Sequence, residues 1–342
     1  MFVSVIIPVY RPGRFVRGCI DSLRRQSFAD FEAIFIDDCG DDGSIEIIRQ
    51  IAESDNRFKI LHNRENRGQG ASRDAGIAIA EGEYVLMLDS DDRLADHALS
   101  TLYNAAQAED VDIIAFSVVH KYRFSRRIYP DFRQKYRAVG RDFLQPFMSG
   151  INQSFALPNV EWFECNKLIR RNLIINNNIT HLAQRRRCED LPFLLELFAA
   201  AKNVLCIPEK LYFYNKCNPN AVTADTSLDG FASSLLPFHT AQKFLLDNGL
   251  HHEFGNQFLC AWDKYVYMGI LAPQMRFFDD AHNRKVVADL VEIIKASPMA
   301  VPHTLALFAD ADPKSFRQLK TRLFKMRCIP LWLTKLKKKL LK

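Results

Sequence analysis

The sequence predicts an α/β fold with a helical appendage, and three observations carry that prediction. Apolar runs of strand length alternate with segments of helical spacing over the first hundred residues. Two of the strands run straight into carboxylates. From residue 228 to 298 the apolar spacing becomes helical throughout. The alternation β-α-β-α-β-α-β implies a parallel, doubly wound sheet with right-handed crossovers.

In chain order, residues 2–10 form a β-branched strand ended by proline, and 14–27 place Phe15, Cys19, Ile20 and Leu23 on one helical face. Residues 31–36 are the second strand, which empties into Asp37-Asp38-Cys39-Gly40-Asp41-Asp42-Gly43-Ser44. A second helix is predicted over 44–54, a third strand over 58–61 and a third helix over 72–80. The fourth strand, 84–88, is wholly apolar, follows Gly82 and ends in Asp89-Ser90-Asp91-Asp92. Such a run reads as a central strand buried on both faces, with its acids at the sheet edge where open α/β sheets bind ligands.

The 342 residues suffice for a large core and one or two domains. Hydrophobic content of 48% with 25% charged residues is ordinary for a soluble globular chain. Eight cysteines without a C-x-x-C pair indicate neither a zinc cage nor a disulfide framework, and read as reduced thiols of a cytoplasmic protein. Residues 1–10 lack the basic start and cleavage site of a signal peptide, and no apolar run is long enough to span a membrane. Charge is uneven: eleven of the Lys and Arg residues and no acid fall from Lys314 onward, so the tail is basic and the body mildly acidic.

With period-two alternation, Asp89 and Asp91 share one side of an extended strand and would repel unless a cation lies between them. One reading is a divalent metal on hard oxygen ligands, leaving positions for phosphate oxygens. The other is a strand-to-helix turn in which Ser90 or Asp91 caps and Asp92 favours the helix dipole. Asp37 and Asp38 fit hydrogen bonds to a base or ribose, or a turn cluster. The turn after the first strand, Pro8-Val9-Tyr10-Arg11-Pro12-Gly13, lacks the glycine pattern of dinucleotide folds, which disfavours hydride transfer. In the loop 66–76, Gly68 and Gly70 permit a tight path and Arg73 supplies a fixed cation.

Taken together, Ser4-Val5-Ile6-Ile7-Pro8-Val9-Tyr10, Asp37-Asp38 with Asp42-Gly43-Ser44, Asn66-x-Gly68 with Ser72-Arg73-x-x-Gly76, and Gly82-Glu83-Tyr84 leading to Asp89-Ser90-Asp91-Asp92 resemble the family 2 glycosyltransferases of the GT-A fold, of bacterial surface-glycan type. That resemblance implies a nucleoside-diphosphate sugar donor, a divalent metal (Mn2+ or Mg2+) and inversion at the anomeric carbon. It assigns Pro8, Tyr10, Asp37, Asp38, Asn66, Arg73 and Asp89 to donor binding, and Asp91 with Asp89 to the metal. Two departures stand out: Asp74 where the family usually has Asn, and Cys39-Gly40-Asp41 where a G-S-T triplet is commoner.

Beyond a further strand over 111–119, residues 121–141 are rich in Arg, Lys and Tyr, fitting either an acceptor-side loop or a solvated basic surface. Cys165-Asn166-Lys167-Leu168-Ile169-Arg170 resembles the family's C-x-K-L-x-R segment, and Glu189-Asp190-Leu191-Pro192-Phe193 its E-D-x-x-F element. The resemblance makes Asp190 the general base that takes the acceptor proton, with Glu189 orienting it or the acceptor, while both acids also suit the start of a helix over 191–201. Arg185, Arg186 and Arg187 fit anion contacts or solvent. Tyr212-Phe213-Tyr214 and Asn220-x-x-Thr223 close the recognised region, giving a catalytic domain over 1–225, a helical region over 226–312 and a basic amphipathic tail over 313–342. His251-His252-Glu253 reads as a polar turn.

The expected activity is transfer of one sugar to a hydroxyl of a glycan or lipid-linked acceptor in surface polysaccharide synthesis. The tail would then meet the anionic inner leaflet or pack on its own domain. No nucleic-acid motif is present. The rival function is an inactive GT-A scaffold that binds glycans.

Overall fold

The computed structural model describes residues 1–122, 124–128, 132–149, 163–182, 188–218 and 227–265, with 285–286, 288–290 and 292–293. Its elements are β1 (Val3–Val9), α1 (Val16–Arg24), β2 (Phe31–Asp37), α2 (Ser44–Ala52), β3 (Phe58–His62), α3 (Gln69–Ile79), β4 (Tyr84–Met87), β5 (Arg93–Leu94) and α4 (Ala98–Ala108). Then come β6 (Ile113–Lys121), β7 (Arg126–Ile128), β8 (Tyr136–Ala138), α5 (Gly140–Ser149), β9 (Lys167–Arg170), α6 (Arg171–Asn176), α7 (Asp190–Ala200), β10 (Val204–Asn215), α8 (Leu228–Asp247) and α9 (His251–Tyr265).

The chain divides into two units, 1–144 with 160–221, and 145–159 with 222–342. In the first, the described strands form one sheet of order β3-β2-β1-β4-β9-β6-β10-β5, with β7 on β6 and β8 on β10. β1 to β4 are parallel neighbours, as the alternating pattern implies. The sheet as a whole is mixed, which corrects the expectation of a parallel one: β9 lies antiparallel between β4 and β6. β9 is only four residues long, too short for its sequence to announce its direction.

Every residue of β1 is buried, and its one polar side chain is satisfied. Ser4 Oγ donates to Glu32 Oε1 at 2.5 Å and accepts from Gly82 N at 2.8 Å, while Lys59 Nζ pairs with the other Glu32 oxygen at 2.8 Å. Pro8 is tolerated in this central strand because the β1–β4 ladder stops at Ile6 and Met87. Beyond that point β1 keeps its partner β2 on one side only, which opens the sheet edge between β1 and β4. α3 seats closely over β1 and β2: a Cβ on Gly76 would meet Ile6 Cγ2 at 2.6 Å and Ile36 Cδ1 at 2.9 Å.

In the second unit, α8 and α9 pack through Phe238 against Phe258, Trp262 and Tyr265, with ring centroids 5.0–6.1 Å apart. His251, His252 and Glu253 form the first turn of α9 rather than a polar loop. An acid at a helix start favours the dipole, which the turn reading overlooked. Arg185–Arg187, Asn220 to Thr223 and the basic tail lie outside the described residues.

Candidate functional site

The acids at the end of β4 do not continue the strand. Extended structure ends at Met87, and Asp89 to Asp92 form a turn closed by Asp92 N donating to Asp89 O at 3.0 Å. Period-two alternation therefore does not set the directions of Asp89 and Asp91, contrary to the strand argument. Asp92 turns inward and is 1% exposed. Tyr212 Oη donates to its Oδ2 at 2.6 Å, Asn215 N donates to its Oδ1 at 2.6 Å, and Asp89 N donates to the same Tyr212 Oη at 3.2 Å. Burial, with Asp91 and Asp89 adding to it, pushes Asp92 well above the usual carboxylate range. β10 thus anchors the whole acidic turn.

Asp91 accepts from Asn218 Nδ2 at 2.7 Å, and burial followed by the Asp89 charge raises its pKa. Neither Asp89 Oδ2 nor Asp91 Oδ1 takes a hydrogen bond from another described residue. Among the described residues no group of three His, Cys, Asp or Glu side chains could hold a metal. The oxygens Asp89 Oδ2 and Asp91 Oδ1 are hard donors of the kind that could hold a divalent cation, with its other positions left to ligand oxygens.

Arg73, on α3, ties the two acidic elements together although it is only 2% exposed. Its Nη2 donates to Asp89 Oδ1 at 3.1 Å, and its Nη1 to Asp190 Oδ1 at 2.9 Å and Glu164 Oε1 at 3.3 Å, with Glu189 Oε1 at 3.8 Å. Gln69 Nε2 adds a 2.6 Å bond to Asp89 Oδ1. Burial alone would lower the arginine pKa, but Glu164, Asp190 and Asp89 hold it well above its ordinary value. Asp89 from the first half and Asp190 from the second thus lie within the span of one guanidinium. Both terminal nitrogens of Arg73 are bonded to carboxylates, which places it at the junction of the acids, while its buried Nε has no hydrogen-bond partner among the described residues.

Asp190 opens α7 with Glu189 as the capping residue. Burial and Glu164 push Asp190 well above the carboxylate range against the pull of Arg73, and burial raises Glu189 to about 7. α3 approaches this pair closely: a Cβ on Gly70 would lie 3.2 Å from Glu189 Oε2 and 2.8 Å from His181 Cβ, which only glycine permits.

Beneath Arg73 lies a network that sequence reasoning missed. His181 Nε2 lies 2.9 and 3.0 Å from the Glu164 oxygens, and its Nδ1 lies 2.6 Å from Asp74 Oδ1. The ring stacks on Phe193 with centroids 3.9 Å apart. Burial opposes a charge on His181, but Glu164 and Asp74 outweigh it and raise the imidazole to about 10. Burial likewise opposes a charge on Glu164, but Arg73 and His181 bring it down to about 2. The signal in the sequence was Asp74 standing where the family usually has Asn: an extra carboxylate, here partly exposed, facing a buried imidazole favours its charged form.

The remaining predicted residues divide. Asp38 is 2% exposed and holds the next loop, accepting from Asn63 Nδ2 at 2.8 Å, Arg67 N at 2.8 Å and Gly68 N at 2.9 Å. These three donors make Asp38 a fastening point for the loop at residues 67 and 68. Asp37 accepts from Cys39 N at 3.1 Å and contacts His62 Nδ1 at 3.0 Å. Tyr10 is half-buried with the Arg11 guanidinium 5.2 Å from its ring centre, Pro8 is buried in β1, and Asn66 is exposed.

The α/β sheet thus carries paired acids at its open edge, tied through Arg73 to a carboxylate at a helix start. The glycosyl transferase family 2 model matches residues 4–174, and the chain belongs to that family. It is 31% identical to the glycosyltransferase EpsJ of Bacillus subtilis over 78% of this chain and 74% of that one. It is also 31% identical to the cholesterol galactosyltransferase of Borreliella burgdorferi, over 78% of this chain and 73% of that one. The fold matches S. aureus TarS, solved in complex with UDP-GlcNAc, at a TM-score of 0.65 and 18% identity over 95% of this chain and 92% of that one. The architecture is therefore GT-A.

Proposed function

We propose that this glycosyltransferase moves one sugar, with inversion, from a nucleoside-diphosphate sugar to a hydroxyl of a surface glycan or lipid-linked acceptor. The observation that carries the reading is the Arg73 guanidinium bonded at once to Asp89 and Asp190. One rigid group holds the diphosphate-side acids beside the acceptor-side base. The acceptor oxygen attacks the anomeric carbon as the bond from that carbon to the diphosphate oxygen breaks. Its proton passes to Asp190, and the nucleoside diphosphate leaves. Asp91 and Asp89 would hold Mn2+ or Mg2+, which supplies positive charge to the departing diphosphate. Arg73 keeps Asp190 and Asp89 from drifting, so the attack geometry is set before the acceptor arrives. Relatives support the glycan setting: the chain is 28% identical over 221 residues to a poly(ribitol-phosphate) beta-glucosyltransferase of Bacillus spizizenii and 28% identical over 227 residues to a glycosyltransferase of Streptococcus pneumoniae.

The test begins with thermal shift across nucleotide sugars with and without manganese, since a ligand bound only by the native state raises the melting point. Turnover of the donor so found is then measured for Asp91→Ala and Asp190→Ala, and with chelator. Loss in both variants, with donor binding kept in Asp190→Ala, supports the assignment. Full turnover in both variants sinks it, and absence of turnover in the parent chain favours the inactive scaffold.

A further inference from the structure

We infer that the hairpin of β6 and β7 is a membrane-docking finger that seats the acidic edge of the catalytic unit on an anionic bilayer. The sequence Lys121-Tyr122-Arg123-Phe124-Ser125-Arg126-Arg127-Ile128 carries four cations and no acid. β7 is exposed along its whole length, and the turn is closed by Tyr122 N donating to Ser125 O at 2.9 Å. In the register, Lys121 sits directly opposite Arg126. Like charges across an antiparallel pair are destabilising, and among the described residues no carboxylate forms an ion pair with Lys121, Arg126 or Arg127. An external anionic surface relieves that repulsion.

The apolar side chains select a bilayer over a soluble polyanion. Of eight large apolar side chains exposed among the described residues, Tyr122, Phe124 and Ile128 fall on this one hairpin, and Phe124 is 89% exposed at its tip. Cations alone suffice for a polyanion, whereas a phenylalanine held out in water among arginines is matched to the boundary between headgroups and acyl chains. Arg127 lies over the Tyr122 ring, 5.6 Å from its centre, which groups aromatic surface and charge.

Position connects the finger to the site. Lys121 O accepts from Lys216 N at 2.9 Å, and two residues further on Asn218 donates to Asp91. A surface met by the hairpin is thereby brought to the same edge of the sheet as the acidic turn. The purpose of docking rests on the reading of a lipid-linked acceptor. The binding itself is measured without donor or acceptor, so the two ideas fail separately.

The experiment is co-sedimentation of the full chain with phosphatidylcholine vesicles, with and without phosphatidylglycerol, at increasing salt. The parent chain is expected to pellet with the anionic vesicles, and less so as salt rises. Arg126→Gln with Arg127→Gln should weaken binding about 30-fold, the equivalent of two cations at about 1 kcal/mol each. Phe124→Ser should weaken it about tenfold. The melting temperature of Phe124→Ser should match the parent, because the side chain is exposed, and that of the double arginine variant should match or exceed it, because one of two opposed cations is removed. Equal binding by the variants and the parent overturns the proposal and assigns any membrane affinity to another segment, the basic tail included. Equal sedimentation with neutral vesicles overturns it as well, as does a failure of Phe124→Ser to weaken binding while soluble polyphosphate competes fully.

Discussion

Replacing His181 with phenylalanine isolates the charge network under Arg73, because the new ring keeps the stack on Phe193 and removes only the cation between Asp74 and Glu164. Two routes give the size of the effect. Breaking a buried pair by deleting one partner costs about 3–5 kcal/mol. A rise from 6.5 to about 10 is three and a half pH units, which at about 1.36 kcal/mol each is roughly 5 kcal/mol of preference for the imidazolium in the folded chain. The melting point should fall by roughly 6–20 °C for a domain of this size. The sign is fixed by the raised value: the stabilisation is complete below pH 6.5 and is lost as pH climbs through about 10. Urea unfolding of parent and variant across that range should show a gap widest at its acid end and closing toward its alkaline end. A gap under about 1 kcal/mol, or one that does not change with pH, refutes the account.

Glu164, brought down to about 2, works in the other direction: its stabilisation is present above pH 4.5 and is lost as pH falls through about 2, so acid unfolding of the parent should be steep there. Tyr212→Phe strips the buried Asp89 N–H and one Asp92 oxygen of their partner, and should cost about 1–3 kcal/mol in a urea titration while weakening manganese binding by calorimetry. Gly76→Val should destabilise by about 1–3 kcal/mol on the same titration, because the added carbons meet Ile6 and Ile36. Cys39, with φ at 62°, holds a left-handed conformation, so Cys39→Gly should stabilise by up to about 1 kcal/mol after glycine's larger unfolded-state entropy is subtracted.

The half of the fold that repeats a simple rhythm was legible in the sequence. β1 to β4 and the helices between them follow from apolar runs and helical spacing, and the acids at their ends mark the sheet edge. Cys39 shows how a departure can be read: it occupies a position whose backbone suits glycine, and the structure displays the strain. What sequence could not give was pairing between distant segments. Nothing in Lys167 to Arg170 announces an antiparallel insertion, and nothing near Glu164 or His181 says that these residues, 17 positions apart, meet under Arg73. Asp38 illustrates the same limit from the other side. Its acid was visible, but whether it faces a ligand or the N–H groups of residues 67 and 68 depends on a loop path that only coordinates define.

The late strand β9 has a consequence for how the protein is made. β4 and β6 emerge from the ribosome well before residues 167–170, and each presents an apolar strand with a raw edge until that short piece slots between them. The nascent chain must keep two sticky borders apart during that interval, which is when pairing with a neighbouring polypeptide competes with self-completion. Fragments cut just after β6 would retain those borders permanently, and should aggregate unless the stretch through residue 170 is supplied.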